Sequence, residues 1–186
     1  MSDIALKSKK LSVKTQTIAA VISIVSAVVL PQIFHFLGAV SGLGTTLGET
    51  FLPMHLPIIA VGLLVGGYAG AIAGVISPLI SFAITGMPNA ALLPFMMIEL
   101  CIYGLSSGVL CNVKMPTIFK VVIAQVSGRV FRALAILIAV YGFSSTAVPV
   151  AIIWKSILAG IFGLVLQWTF LPLMVYRVEN ARKNEK

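Results

Sequence analysis

The stretch Thr17-Ile-Ala-Ala-Val-Ile-Ser-Ile-Val-Ser-Ala-Val-Val-Leu-Pro-Gln-Ile-Phe-His-Phe-Leu37 decides what kind of protein this is. It holds no Asp, Glu, Lys or Arg. As a helix rising about 1.5 Å per residue it is long enough to cross a hydrocarbon core of roughly 30 Å. Lys7, Lys9, Lys10 and Lys14 precede it, as basic residues precede the core of a secretory leader. The run is longer than a leader core, ends without a small-x-small cleavage site, and is followed by further apolar runs. It is therefore expected to be the first membrane helix of the mature protein.

The rest of the chain supports that reading. Of 186 residues, 59% are apolar and 10% charged, and the mean hydropathy is +1.09. A soluble domain of this size cannot hide so much apolar surface. Apolar segments bounded by Gly, Pro or polar clusters predict helices near 15–37, 54–68, 70–85, 91–111, 117–141 and 149–177. The fold class expected is all-α: one polytopic membrane domain of six transmembrane helices. The second and third segments run almost together through Gly66, Gly67 and Gly70, so one long broken helix is conceivable. Their combined length exceeds a single crossing, which favours a tight hairpin.

Charge placement sets the expected orientation. With both termini cytoplasmic, the inner regions hold Lys7, Lys9, Lys10, Lys14, Lys114, Lys120, Arg177, Arg182, Lys183 and Lys186. The outer connections, about 38–53, 86–90 and 142–148, hold no Lys or Arg. That satisfies the positive-inside rule with an even number of spans, and it points to a multi-pass protein of the cell membrane. It also accounts for most of the net charge of +8, so nucleic acid is not implied, because no basic face is interleaved with aromatics. The expected layout is a tail at 1–14, helices one to three over 15–90, helices four to six over 91–177, and a second tail at 178–186.

Small residues recur at helical spacing. Ala19, Ser23 and Ala27 lie four apart in helix one, and Gly62, Gly66, Gly70 and Gly74 continue that interval across the next two segments. Such ladders let helix backbones approach closely in lipid, either within the chain or against a partner membrane protein. Cys101 and Cys111 fall on one predicted helix, about 15 Å apart by helical rise, too far for a disulfide. They read as small core residues.

Arg129, Arg132 and Lys155 are left inside predicted spans. A charge there costs at least about 2.5–3.5 kcal/mol on insertion scales and normally faces a cavity or a counter-charge. Gln125, Arg129 and Arg132 share one helix face by their i, i+4, i+7 spacing. The acidic candidates at that depth are Glu99, two turns into helix four, and Glu49 in the first outer connection. Glu99 is read either as a structural ion-pair partner or as a ligand contact. The positive excess suits a small anionic ligand, with polar help from Gln125 and Asn89. His55 opens helix two between Pro53 and Pro57, which free backbone groups to face a cavity. His35 is read as a helix-end residue. Tyr103, Met96, Phe95 and Trp154 are candidates to stack on a ligand, although aromatics at such positions also serve as interfacial anchors. Two histidines twenty residues apart with no acidic or thiol cluster do not make a metal site, so none is expected.

There is no G-x-x-x-x-G-K-[ST] loop, no H-E-x-x-H and no G-x-S-x-G, which removes the corresponding ATPase, metalloprotease and hydrolase chemistries. The halves show no inverted repeat, which weakens a self-sufficient secondary transporter. Two classes stay open: a binding subunit without its own motor, and a small membrane enzyme or assembly factor using Glu99 with Arg129 and Arg132.

Several runs resemble a known family. Leu52-Pro-Met-His-Leu-Pro-Ile-Ile-Ala-Val-Gly62, Gly66-Gly-Tyr-Ala-Gly-Ala-Ile-Ala-Gly74, Ile76-Ser-Pro-Leu79, Thr85-Gly-Met-Pro88, Glu99 with Tyr103-Gly104, and Ser127-Gly-Arg129 are similar to the substrate-binding S components of energy-coupling factor (ECF) vitamin transporters. The likeness spans helices one to six and is specific to the superfamily rather than to one vitamin. It implies six helices, a ligand pocket in the outer half built by helices four to six with the loops after helices one, three and five, and docking through helices one to three. The ladder Ala19, Ser23, Ala27 is similar to the family's Ala-x-x-x-Ala docking motif, with Ser in the middle. The partners implied are a transmembrane coupling subunit and two cytoplasmic ATPases, which would use the ATP; no cofactor is expected in this chain. Metal-transporting relatives begin Met-x-His, whereas this chain begins Met1-Ser2-Asp3, so a vitamin is favoured over nickel or cobalt. The basic excess makes niacin or pantothenate the leading candidates, with riboflavin, a pyridoxine-like compound or a corrinoid as others.

Overall fold

The computed structural model describes residues 12–44 and 46–184. Lys7, Lys9 and Lys10 of the predicted N-terminal tail, Lys186, and the side chains of Arg182 and Lys183 lie outside the described residues.

Every regular element among the described residues is helical: α1 (Val13–Val40), α2 (Thr46–Phe51), α3 (His55–Val65), α4 (Gly67–Thr85), α5 (Leu93–Leu110), α6 (Thr117–Leu137), a π-helical turn over Ile138–Gly142 that continues α6, α7 (Ile152–Ala159) and α8 (Ile161–Asn184). Six segments are long and apolar enough to cross a membrane, α2 and α3 together forming the second. Their outward faces carry large apolar side chains such as Ile22, Phe36, Val109 and Phe162, as expected of surfaces that meet lipid rather than water. An even number of crossings returns the chain to the end where it began. That terminal end carries the α3–α4 and α5–α6 connections, and the opposite loop end carries residues 41–45, 86–92 and 143–151.

The predicted hairpin is present in its tightest form. A single residue, Gly66, separates α3 from α4, and its φ of +129° is one that side-chain-bearing residues rarely adopt. α4 then runs antiparallel to α5 with almost no side chain between them. Gly70 faces Gly104, Gly108 faces Gly67, and Gly74 faces the Leu100 backbone, so close that a methyl group on Gly70, Gly74, Gly104 or Gly108 would collide with main-chain atoms. In lipid, where water no longer drives helices together, this close approach is what dispersion and Cα–H contacts can use.

Three sequence expectations are corrected. The ladder Ala19, Ser23, Ala27 turns two of its three residues into the bundle. Ser23 and Ala27 are buried, and the Ser23 hydroxyl donates to the Pro57 carbonyl at 3.0 Å, because the small side chains let α1 pack onto α3. Of the glycine ladder, Gly62, Gly70 and Gly74 pack on α5, while Gly66 forms the turn. The last predicted helix, 149–177, is two helices broken at Gly160, where a Cβ would strike the Leu52 side chain. Finally, residues 46–51, expected in a loop, form α2, which re-enters the bundle ahead of α3.

The centre of the bundle is Ile58, Ile59, Leu100, Tyr103, Val121 and Leu171, all fully buried. At the loop end the packing opens around the α2–α3 break and the short α7.

Candidate functional site

The break between α2 and α3 starts the site. Leu52 has φ +49°, a left-handed conformation that strains a non-glycine residue, and Pro53 cannot donate a backbone hydrogen bond. The Leu52 carbonyl is thereby turned to face side chains. It accepts from the His55 backbone N–H at 3.1 Å, lies 3.3 Å from His55 Nδ1, and accepts from Gln167 Nε2 at 3.3 Å. A carbonyl can only accept, so His55 carries its proton on Nδ1, and in the neutral ring Nε2 presents a lone pair.

That lone pair looks toward Glu99. His55 Nε2 and Glu99 Oε1 are 4.0 Å apart, beyond hydrogen-bond reach. Both oxygens of Glu99 are engaged elsewhere: Oε2 accepts from Arg132 Nη1 at 2.7 Å, and Oε1 accepts from the Tyr103 hydroxyl, one helical turn on, at 2.8 Å. Glu99 is 1% exposed and the Arg132 side chain 15%. Tyr103 fits because Gly128 lies against its ring, where any side chain would collide with it. This gives Ser127-Gly128-Arg129 a steric reason: the glycine admits the tyrosine that holds the carboxylate.

Above this floor the loop-end half encloses a cavity of about 480 Å³, within the size range of small-molecule sites. α1 contributes Pro31 and His35, α2 Gly48 and Glu49, the break Leu52 through His55, and α4 Ser81. The 86–92 loop contributes Met87, Pro88, Asn89 and Leu92, α5 Met96 and Glu99, α6 Arg132, and α7 Ile152, Lys155, Ser156 and Ala159. Asn89 is fixed by its own turn, its Oδ1 accepting from the Ala91 N–H at 2.9 Å. Lys155 forms no ion pair among the described residues.

Of the residues singled out in the sequence, Glu49, His55, Asn89, Met96, Glu99, Arg132 and Lys155 come together on this cavity. Tyr103 stands behind Glu99 and is fully buried. Arg129 does not reach the cavity. With Arg132, Ala133, Ile136, Ile153, Ser156 and Ile157 it lines a second recess of about 10 Å³ between α6 and α7.

Three more of the candidates lie off the cavity. Trp154 is 69% exposed and faces outward, while Ile153, Ser156 and Ile157 of the short α7 line the recess against α6. Gln125 is consumed in packing: its Nε2 donates to Gln167 Oε1 at 2.9 Å, and its Oε1 accepts from Trp168 Nε1 at 2.7 Å, tying α6 to α8. Phe95 lies off the cavity as well.

The walls also differ from those implied by the resemblance, since α1, α3 and α4 contribute and the connection after helix five, 142–148, does not. His35, Ser81 and Ser156 were missed as lining residues, and Gln167 as the link between Gln125 and Leu52. An amide in the middle of an apolar helix is a signal for Gln167. Nothing in the local sequence marks the serines.

No group of three or more His, Cys, Asp or Glu side chains among the described residues could hold a metal. The chain matches no protein-family model, and the searches of curated proteins and of solved structures find no protein similar to it.

Proposed function

We propose that the chain is the substrate-capturing subunit of an ATP-driven, ECF-type vitamin uptake transporter in the cell membrane, with both termini cytoplasmic and the loop end outside. The observation that carries this reading is the 480 Å³ cavity at the loop end, floored by a buried, charged network and capped by the 86–92 loop. A site that opens away from both termini suits capture from outside. The sequence resemblance adds the transporter class and, with it, partners that hydrolyse ATP; this sequence carries no phosphate loop. With Ser23 and Ala27 buried, a coupling subunit would dock on the remaining lipid-facing surface of helices one to three.

The enzyme reading is less well supported. Glu99 already accepts one strong hydrogen bond on each oxygen, leaving it poorly placed to take a proton from a substrate. The test is co-purification of the full chain with coupling and ATPase subunits, followed by native mass spectrometry of the gently isolated chain. One unmodified vitamin-sized molecule per chain, recovered with a coupling complex, is the expected result. Chemical turnover of that molecule by the isolated chain would favour the enzyme instead.

A further inference from the structure

The recess between α6 and α7 holds charges that the protein itself leaves unmatched. Arg132 gives one nitrogen to Glu99, but the Nε atoms of Arg129 and Arg132 are both buried with no hydrogen-bond partner among the described residues. An unsatisfied buried donor costs about 1–3 kcal/mol, more when charged. Within the membrane-spanning helices the guanidiniums of Arg129 and Arg132 face one buried carboxylate, Glu99, whereas Lys155, on α7 outside those spans, and Glu49 are exposed at the cavity. The balance within a low-dielectric span lacks a single negative charge.

Arg132 and Ser156 line both spaces, so the recess is a side pocket of the main cavity. Its volume of about 10 Å³ is close to the least that holds one water-sized group. One oxygen atom fits there. A planar carboxylate can insert one oxygen and leave its second in the larger cavity, toward Lys155 and Ser156. A phosphate, with three terminal oxygens and a charge of about −1.5 to −2, matches neither the room nor the balance.

We propose that this recess is a carboxylate subsite, and that the captured molecule is an unphosphorylated monocarboxylate. Its acid group would enter between Arg129 and Arg132, with the remainder in the 480 Å³ cavity. The ligand's identity as cargo rests on the capture reading; the subsite itself does not.

The test uses the full chain in nanodiscs of uncharged lipid, with thermal unfolding followed against acetate, acetamide and inorganic phosphate at equal ionic strength. Acetate is expected to raise the midpoint saturably at millimolar concentration, and acetamide and phosphate are not. Arg129→Lys, which keeps the charge but loses the guanidinium fork, should weaken the acetate response about tenfold or more, the worth of a charge-assisted hydrogen bond. Lys14→Gln, at the terminal end, should leave it unchanged. Equal stabilisation by phosphate, or an undiminished acetate response in Arg129→Lys, would overturn the subsite. Mass spectrometry separates this proposal from the capture reading. An uncharged or phosphorylated molecule retained on the chain sinks the carboxylate class and leaves capture standing. An arginine-dependent acetate response with no retained molecule does the reverse.

Discussion

Glu99 is where single residues matter most, because a carboxylate in the middle of a membrane bundle is tolerable only through its partners. Tyr103 and Arg132 each satisfy one oxygen, and Gly128 makes room for the tyrosine. Glu99→Leu strands a buried guanidinium, and Arg132→Met strands a buried carboxylate. Either is expected to cost about 3–5 kcal/mol in unfolding free energy measured by denaturant titration in one detergent. The double variant, which removes both charges, should recover most of that loss. A double variant no more stable than the singles would mean that the pair is not the stabilising unit. Tyr103→Phe removes one hydrogen bond and should cost about 1 kcal/mol in the same titration. Charge in an apolar segment announces itself, so Glu99 and Arg132 were legible from sequence as residues in need of partners. Which partner each would take was not, because a rotation of one residue turns a helix by about 100°. That rotation sends Gln125 to Gln167 and Trp168 instead of to the cavity.

Among elements, the α4–α5 seam and the α2–α3 break divide the labour of building the site. The seam is rigid because glycine backbones touch along it. Gly104→Val should prevent that approach, with overpacking costs at or above about 1–3 kcal/mol, read as loss of the monodisperse peak in detergent gel filtration. Gly142→Ala is the matched control: its added methyl would meet nothing nearer than Ile138 Cγ2 at 3.7 Å, and its profile should match the parent. The break depends on α8. Gln167→Leu removes a donor from the Leu52 carbonyl and a partner from Gln125, and is expected to destabilise by about 1–3 kcal/mol in the same denaturant titration. Periodicity and apolar length revealed the crossing helices because both are local properties. α2 and the break at Gly160 escaped notice because they arise from contact between residues more than a hundred positions apart, Leu52 against Gly160 and Gln167. The small-residue ladders were legible as packing surfaces, but sequence could not say whether the mate lay inside or outside the chain. For Ser23 it is the Pro57 carbonyl.

For the whole molecule, the cavity has meaning only if the loop end faces the compartment that supplies the ligand. Positive charge sets membrane orientation through short flanking loops, and the two ends of this bundle differ sharply. Lys14, Lys114 and Arg177 lie at the terminal end, whereas the described connections at the loop end carry no Lys or Arg. Orientation can be read with two reporter positions in a chain whose native thiols, Cys101 and Cys111, are replaced by serine. Thr146 is exposed in the last loop-end connection and Asn112 is exposed in the α5–α6 connection. Thr146→Cys should react with a membrane-impermeant maleimide in intact cells. Asn112→Cys should react only after the cells are permeabilised. The reverse pattern would put the cavity mouth on the cytoplasmic side, where the same charged floor would serve release or export rather than capture. Labelling of both positions in intact cells would mean that the six segments do not all cross. Only the first pattern joins a binding site at one end to ATP-driven partners at the other, separated by the glycine seam and the buried Glu99 network that the bundle keeps between them.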